Sequence, residues 1–286
     1  MAPKLLEKYG PWALVTGASS GIGEQFARRL ARAGFNLVLI ARRAQRLSLL
    51  EAELRARHRI DIEVLAEDLA DRGGIDRVIC AALGRDLGLV ASNAGFGLKG
   101  PFERSPRASL EAMLDTNVRA PLLLLHALMP RLLQRGRGGI ILTGSIEGEA
   151  PFPWSSAYAA SKAFIHSLGL GLSGELSGTG IDVLVLEPGP TDTEALTLQG
   201  FSKATMRGLM SPAEVAKQAL AQIGRAPLHI PGKENRKFVT AMRRMPKPRL
   251  VEFNALNMAG ALAANGQSVE RAGPVERAGP VERAAP

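Results

Sequence analysis

Short runs of consecutive apolar residues alternate with longer stretches of helical periodicity along most of the chain. The apolar runs fall at Trp12–Thr16, Asn36–Ile40, 62–66, Leu87–Ser92, 139–143 and Ile181–Leu186, with a weaker seventh at 227–230. Between them, residues 21–33, 44–57, 110–135 and 156–176 repeat apolar side chains at the helical period. Strands that are apolar throughout, rather than at alternate positions, are buried on both faces. The pattern therefore predicts an α/β fold: a doubly wound, mostly parallel seven-stranded sheet with helices on both sides. Ser211-Pro212-Ala213-Glu214 supplies an N-cap, an N1 proline and a capping acid, and predicts one further helix. Sheets of this kind bind ligands at the carboxyl ends of their strands.

Three segments break the pattern. Residues 196–210 (LTLQGFSKATMRGLM) carry Leu196, Leu198, Phe201, Met206, Leu209 and Met210 between the sixth strand and the capped helix. They read as a flap over an apolar substrate, or as ordinary buried connection. Residues 233–267 form a basic extension; from Arg236 to Arg249 there are six basic residues and no acid. That stretch reads as a helix folded over the pocket or at an oligomer interface, with weak association to a membrane surface as the rival. Pro246 and Pro248 are expected to end any helix there. Residues 268–286 hold three copies of a hexapeptide (VERAGP, VERAGP, VERAAP) starting at Val269, Val275 and Val281. Proline in each copy and few bulky apolar groups predict an extended, disordered tail. The remaining residues, 1–232, are expected to form one domain.

The first apolar run delivers a turn poor in side chains, TGASSGIG, with Gly17, Gly21 and Gly23 at a strand-to-helix junction. Glycines there allow a tight turn and the close approach of a pyrophosphate, which the amides and dipole of the following helix favour. Ser19 and Ser20 add hydroxyl donors. No lysine follows the last glycine, which argues against an ATP-hydrolysing phosphate loop. The second run ends in Ala41-Arg42-Arg43 without a carboxylate. In a dinucleotide fold an acid at that point would bind the ribose 2′-hydroxyl, whereas paired guanidiniums match a 2′-phosphate. NADP(H) is therefore expected over NAD(H); the bland alternative makes the arginines the start of a solvated helix face. Asp68, after the third run, is placed to meet the adenine amino group.

Tyr158 and Lys162 open a predicted helix four residues apart, and so share one face about 5–6 Å apart. Ser145 lies upstream, at the end of the fifth run. A phenol titrates near pH 10, so a neighbouring ammonium and a nicotinamide cation are expected to make Tyr158 more acidic. Tyr158 would then act as acid or base toward an alkoxide oxygen, with the Ser145 hydroxyl holding that oxygen.

TGxxxGxG, Ser145, YxxxK and Glu187-Pro188-Gly189 together resemble the short-chain dehydrogenase/reductase superfamily over roughly residues 10–230. KYGPWALVTGASSGIG with GFNLVLIARR is further similar to its hydroxysteroid dehydrogenase and 3-oxoacyl-CoA reductase branch. The resemblance implies a Rossmann fold and an oxidoreductase. It implies that Lys162 also binds the nicotinamide ribose, and that Asn117, in DTNV, anchors a water in the proton relay. It matches Asn93-Ala94-Gly95 to the family's N-N-A-G, with Ser92 replacing the usual first Asn, and Pro188-Gly189 with Thr191 and Thr193 to a carboxamide-binding segment. Ile22 in the glycine turn and Leu69 beside Asp68 complete the expected cofactor contacts. Assembly as a homodimer or homotetramer is expected.

Composition narrows the rest. The chain has 286 residues and a formal net charge of +9, but aromatics are 5% and arginines are scattered, which argues against a nucleic-acid partner. A single cysteine, Cys80, excludes an internal disulfide and fits a reducing compartment. With no apolar run long enough to span a bilayer and no signal-like start, a cytoplasmic location is expected. His58, His126 and His229 share no ligand spacing, so no metal is expected. His166 lies about 12 Å along the helix from Tyr158 and is expected to pack or face solvent. The expected activity is hydride transfer between NADP(H) and a lipophilic ketone or secondary alcohol, toward reduction. The rival is a non-catalytic docking protein acting through its C-terminal repeats.

Overall fold

In the computed structural model, which describes residues 2–266, strands at every predicted position join in one parallel sheet. They are β1 (Trp12–Thr16), β2 (Asn36–Ile40), β3 (Ile62–Leu65), β4 (Leu87–Ser92), β5 (Gly138–Thr143), β6 (Ile181–Leu186) and β7 (Leu228–His229). Their order is β3-β2-β1-β4-β5-β6-β7, so the chain winds outward in one direction from β1 and then in the other from β4. The hexapeptide repeats lie outside the described residues.

The helices are α1 (Ala2–Tyr9), α2 (Gly21–Arg32), α3 (Ala44–Arg57), α4 (Arg72–Leu83), α5 (Arg107–Leu114), α6 (Ala120–Arg135) and α7 (Ser156–Glu175). After them come α8 (Glu194–Leu198), α9 (Pro212–Gln222), α10 (Lys233–Arg243) and α11 (Lys247–Ala263). The predicted cap of α9 forms as read: Ser211 Oγ accepts from the Glu214 amide at 3.2 Å.

Why the strands had to be apolar throughout is visible in how they divide. Successive strand side chains point to opposite faces. Ala13 and Val15 of β1, Leu37 and Leu39 of β2 and Leu184 and Leu186 of β6 pack with α2, α3 and α9. Leu14, Val38, Ile140, Leu142 and Val183 pack on the other side with α4, α6 and α7. A third cluster joins Ile146, Phe152 and Ala159 to Val239, Met242 and Leu250 of the C-terminal helices, roofing the carboxyl end of the sheet.

Two elements depart from expectation. The helix predicted over 110–135 is interrupted: Asp115–Arg119 form a π-helical turn between α5 and α6. An inserted wide turn leaves the apolar period on either side intact, so periodicity could not show it. Pro246 and Pro248 end α10 but also begin α11, where the first turn tolerates proline because its N–H groups have no intrahelical partners.

Candidate active site

The winding reverses between β1 and β4, and their carboxyl ends open a cavity of about 780 Å³. Thr16 Oγ1 joins the two strand ends by accepting from the Asn93 and Ala94 amides, each at 2.9 Å. Gly17 turns the chain toward α2 with φ +69°, a conformation that an L side chain resists. Gly23 has a different task from the one expected. A Cβ there would stand 2.2 Å from the Gly17 carbonyl oxygen, so this glycine lets α2 pack on the turn and does not border the cavity.

At the end of β2, Arg43 donates to Ser19 Oγ from Nε at 3.1 Å and to Ser20 Oγ from Nη2 at 2.7 Å. It also pairs with Glu194 of α8 at 2.6 Å. Arg42 is more exposed and stands 3.9 Å from the Asp68 carboxylate. Together with the amide end of α2, this donor set suits a polyanion. Leu69, Asn93-Ala94-Gly95, Pro188-Gly189, Thr191 and Thr193 border the same cavity, with Ile22 in the turn.

At the far end lie Ser145, Tyr158 and Lys162. Ser145, 7% exposed, caps a short 3-10 turn at Ile146–Glu149 and accepts from the Glu147 amide at 3.2 Å. Lys162, 3% exposed, donates to the Thr143 carbonyl at 2.9 Å, and its Nζ stands 5.8 Å from the Tyr158 ring centre. The protein's own charges do not acidify the phenol as expected. Burial raises the Tyr158 pKa above its ordinary value and the Glu147 carboxylate raises it further, while a hydrogen bond with Ser145 pulls it back. Burial also pushes Lys162 down to about 8.

Asn117, 1% exposed, sits in the π-helical turn and does not border the cavity. Its Nδ2 donates to the Phe96 carbonyl at 2.9 Å and to Ser161 Oγ at 3.0 Å, and its Oδ1 accepts from the Phe96 amide at 3.1 Å. The side chain thus binds the loop after β4 to α7. π-Turns inside α-helices concentrate at functional sites.

The family model for short chain dehydrogenases matches residues 11–200. The chain belongs to the short-chain dehydrogenase family. It is an oxidoreductase of CH–OH and C=O groups that uses a nicotinamide cofactor. Among curated relatives, a 7β-hydroxysteroid dehydrogenase of Collinsella aerofaciens is 32% identical over 239 residues, which span 82% of this chain and 91% of that enzyme. A structure from work on 7β-hydroxysteroid dehydrogenase stereoselectivity superposes with TM-score 0.82 at 29% identity, covering 87% of this chain and 98% of that one. A short-chain dehydrogenase from Sphingobium yanoikuyae, in complex with NADPH, gives TM-score 0.76 at 35% identity, covering 82% and 92%.

Around this family core, the sequence concealed several participants. Lys99, with its side chain 3% exposed, donates to both Glu147 carboxylate oxygens at 2.6 Å and to Ser155 Oγ at 2.7 Å. That trio ties the loop after β4 to the Ser145 turn and to the N-cap of α7. Asn235 of α10, 4% exposed, donates to the carbonyls of Gly208 and Pro231, each at 3.1 Å, and fills the space where a Cβ on Gly189 would stand. His166 is partly exposed but is not simply packed or solvent-facing: its Nδ1 meets Glu187 Oε1 at 2.5 Å.

The flap segment is partly built into the fold. Phe201 is buried, Thr191 bridges Met210, and the Ser202 amide donates to Asn265 Oδ1 at 2.7 Å. Leu196, Leu198, Phe201 and Met206 border the cavity with Phe238 of α10 and Met258 of α11, while Leu209 and Met210 do not. The basic stretch is thus folded over the pocket, and Arg243 pairs with Glu149. Among the described residues no helix is long and apolar enough to cross a membrane.

Proposed function

We propose that this short-chain dehydrogenase uses NADP(H) to reduce a lipophilic ketone to a secondary alcohol, with Tyr158 as the acid. The observation that carries the reading is one cavity with the glycine turn and Arg43 at one end, Ser145, Tyr158 and Lys162 at the other, and apolar flap and C-terminal side chains over the latter.

The residues fit the cofactor. Ser19, Ser20 and Arg43 suit a phosphate, and no acid stands at the end of β2 to favour an unphosphorylated ribose. When bound, NADPH supplies the hydride. Ser145 is placed to donate to the substrate oxygen and steady the charge that develops there. Tyr158, already bonded to Ser145, is positioned to give its proton to that oxygen. One Lys162 N–H is taken by the Thr143 carbonyl, which fixes the ammonium and leaves two donors for ribose hydroxyls. Because burial and Glu147 both disfavour the phenolate, Tyr158 holds its proton, which suits an acid in the reducing direction. The 7β-hydroxysteroid dehydrogenase relative and the apolar lining support a bulky, water-poor substrate.

The test is turnover of lipophilic ketones with NADPH and NADH, in the native chain and in Tyr158→Phe. The variant is expected to bind NADPH normally and to lose roughly 10²–10⁴-fold in kcat, the range for a general acid. Full turnover by Tyr158→Phe would remove the proposed acid, and equal kcat/KM with the two cofactors would remove the cofactor preference.

A further inference from the structure

Behind the catalytic side chains, three metal-binding types of group converge that the reaction does not use. Glu149 closes the turn that Ser145 opens, His166 lies four residues beyond Lys162 on α7, and Glu187 follows β6 just before Pro188-Gly189. A carboxylate oxygen of each glutamate and an imidazole nitrogen all lie within 4.8 Å of one another. Glu187 is fully buried; its Oε1 meets His166, and no protein donor among the described residues reaches its Oε2. Glu149, with its side chain 6% exposed, is gripped by two nitrogens of Arg243. Two carboxylates and one guanidinium leave a buried negative charge to be balanced, and an unbalanced one is costly. A proton can balance it. A cation can balance it equally.

We propose that Glu149, His166 and Glu187 bind one divalent transition-metal ion of the zinc type. The donor set, one imidazole and two carboxylates, is of the kind zinc and its first-row neighbours take. Bonds of about 2.0–2.2 Å place two ligand atoms at most roughly 4.4 Å apart, so the three groups need only small side-chain rotations to close on an ion. His166, with its side chain 22% exposed, gives the approach from solvent. Arg243, half exposed on α10, is the competitor for Glu149; it can turn into water as the ion replaces its charge. Occupancy would clamp together the turn bearing Ser145, the helix bearing Lys162 and the strand leading to Pro188-Gly189. The histidine spacing could not reveal this site, because its ligands come from three elements separated in sequence.

The inference does not depend on the proposed substrate or cofactor, and its test reads binding alone. Tag-free, metal-stripped full-length chain is titrated with Zn²⁺ by calorimetry and with Co²⁺ by visible ligand-field absorption. One ion per chain is expected. His166→Gln and Glu187→Gln are expected to bind at least roughly tenfold more weakly. Arg243→Ala keeps every ligand and is expected to bind more tightly. No uptake of either ion by the native chain, or uptake unchanged in His166→Gln, would overturn the site. If the cluster is satisfied by a proton alone, the native chain takes up no ion and Glu187→Gln melts above it, which also overturns the proposal. Should the ligand variants fail to fold, the native Co²⁺ spectrum and the Arg243→Ala titration still decide: no ligand-field band, or no tightening, counts against it.

Discussion

The buried ammonium of Lys99 stands 4.6 Å from the centre of the Tyr158 ring while it donates to both oxygens of Glu147. Lys99 therefore screens the phenol from the one carboxylate that opposes its ionisation. Burial lowers the pKa of Lys99 and Glu147 offsets only part of that fall, so the ammonium depends on its partner. Lys99→Met would leave Glu147 unpaired beside Tyr158, and an uncompensated buried charge is strongly destabilising. We expect kcat to fall by roughly tenfold or more and its alkaline limb to move upward in pH. Lys99→Met with Glu147→Gln removes both charges and is expected to recover part of the loss. Steady-state pH profiles of the three proteins check this; an unchanged profile in the single variant would show that the pair only holds loops together.

Gly95 tests how closely Lys162 is held. A Cβ on Gly95 would lie 2.9 Å from Asn117 Oδ1 and 3.2 Å from Lys162 Nζ. Both partners are fixed, Asn117 by Phe96 and Ser161, Lys162 by the Thr143 carbonyl. Gly95→Ala should therefore displace Lys162 rather than be absorbed. An ångström of misplacement costs on the order of 10²-fold in rate. We expect kcat to drop 10- to roughly 100-fold with little change in melting temperature, measured by turnover and calorimetry on one preparation.

These two predictions mark where the sequence stopped being readable. The strands were legible because each is buried on both faces and so carries an unbroken apolar run; β7, only Leu228–His229 at the edge, was correspondingly faint. Ser145, Tyr158 and Lys162 were legible because helical spacing and a strand end fix them relative to one another. Lys99 and Asn235 were not, since Lys99 reaches Ser155, 56 residues away, and Asn235 reaches Gly208, 27 residues away, in contacts that only the folded chain creates. Arg43 was named for a phosphate, yet its present partner Glu194 lies 151 residues away and gave no local sign.

Lys162 makes stability depend on pH in a stated direction. Burial pushes its pKa from 10.5 down to about 8, so the folded state favours the neutral amine more than the unfolded state does. Between those values the unfolded chain binds more protons, and stability rises with pH. Below pH 8 the full cost of burying the ammonium is present, an order of about 3 kcal/mol. Lys162→Met should therefore melt above the native cofactor-free protein at pH 7, and the difference should shrink as pH climbs from 8 toward 10.5. Melting curves of both proteins across that window measure it; a difference constant with pH would mean that Lys162 is not held as a desolvated ammonium.

Glu194 competes for the arginine that a 2′-phosphate would claim. Its carboxylate pairs with Arg43 at 2.6 Å and also with Arg46, and both guanidiniums hold its pKa below the usual carboxylate range. All three side chains are about 40–47% exposed, so water and salt weaken the pairing and no large energy is locked in it. A phosphate carries more charge and accepts Arg43 in a fork, so it should displace the carboxylate at a modest cost. Glu194→Gln removes that cost. We expect NADPH to bind roughly fivefold more tightly, by nucleotide fluorescence, and NADH to bind as before. Since α8 carries Glu194 into the segment over the substrate end, the same variant should also loosen residues 194–206, seen as faster amide exchange there. Equal tightening for both nucleotides would place the effect in the flap and not at the 2′-position, and Arg43 would lose its assigned role.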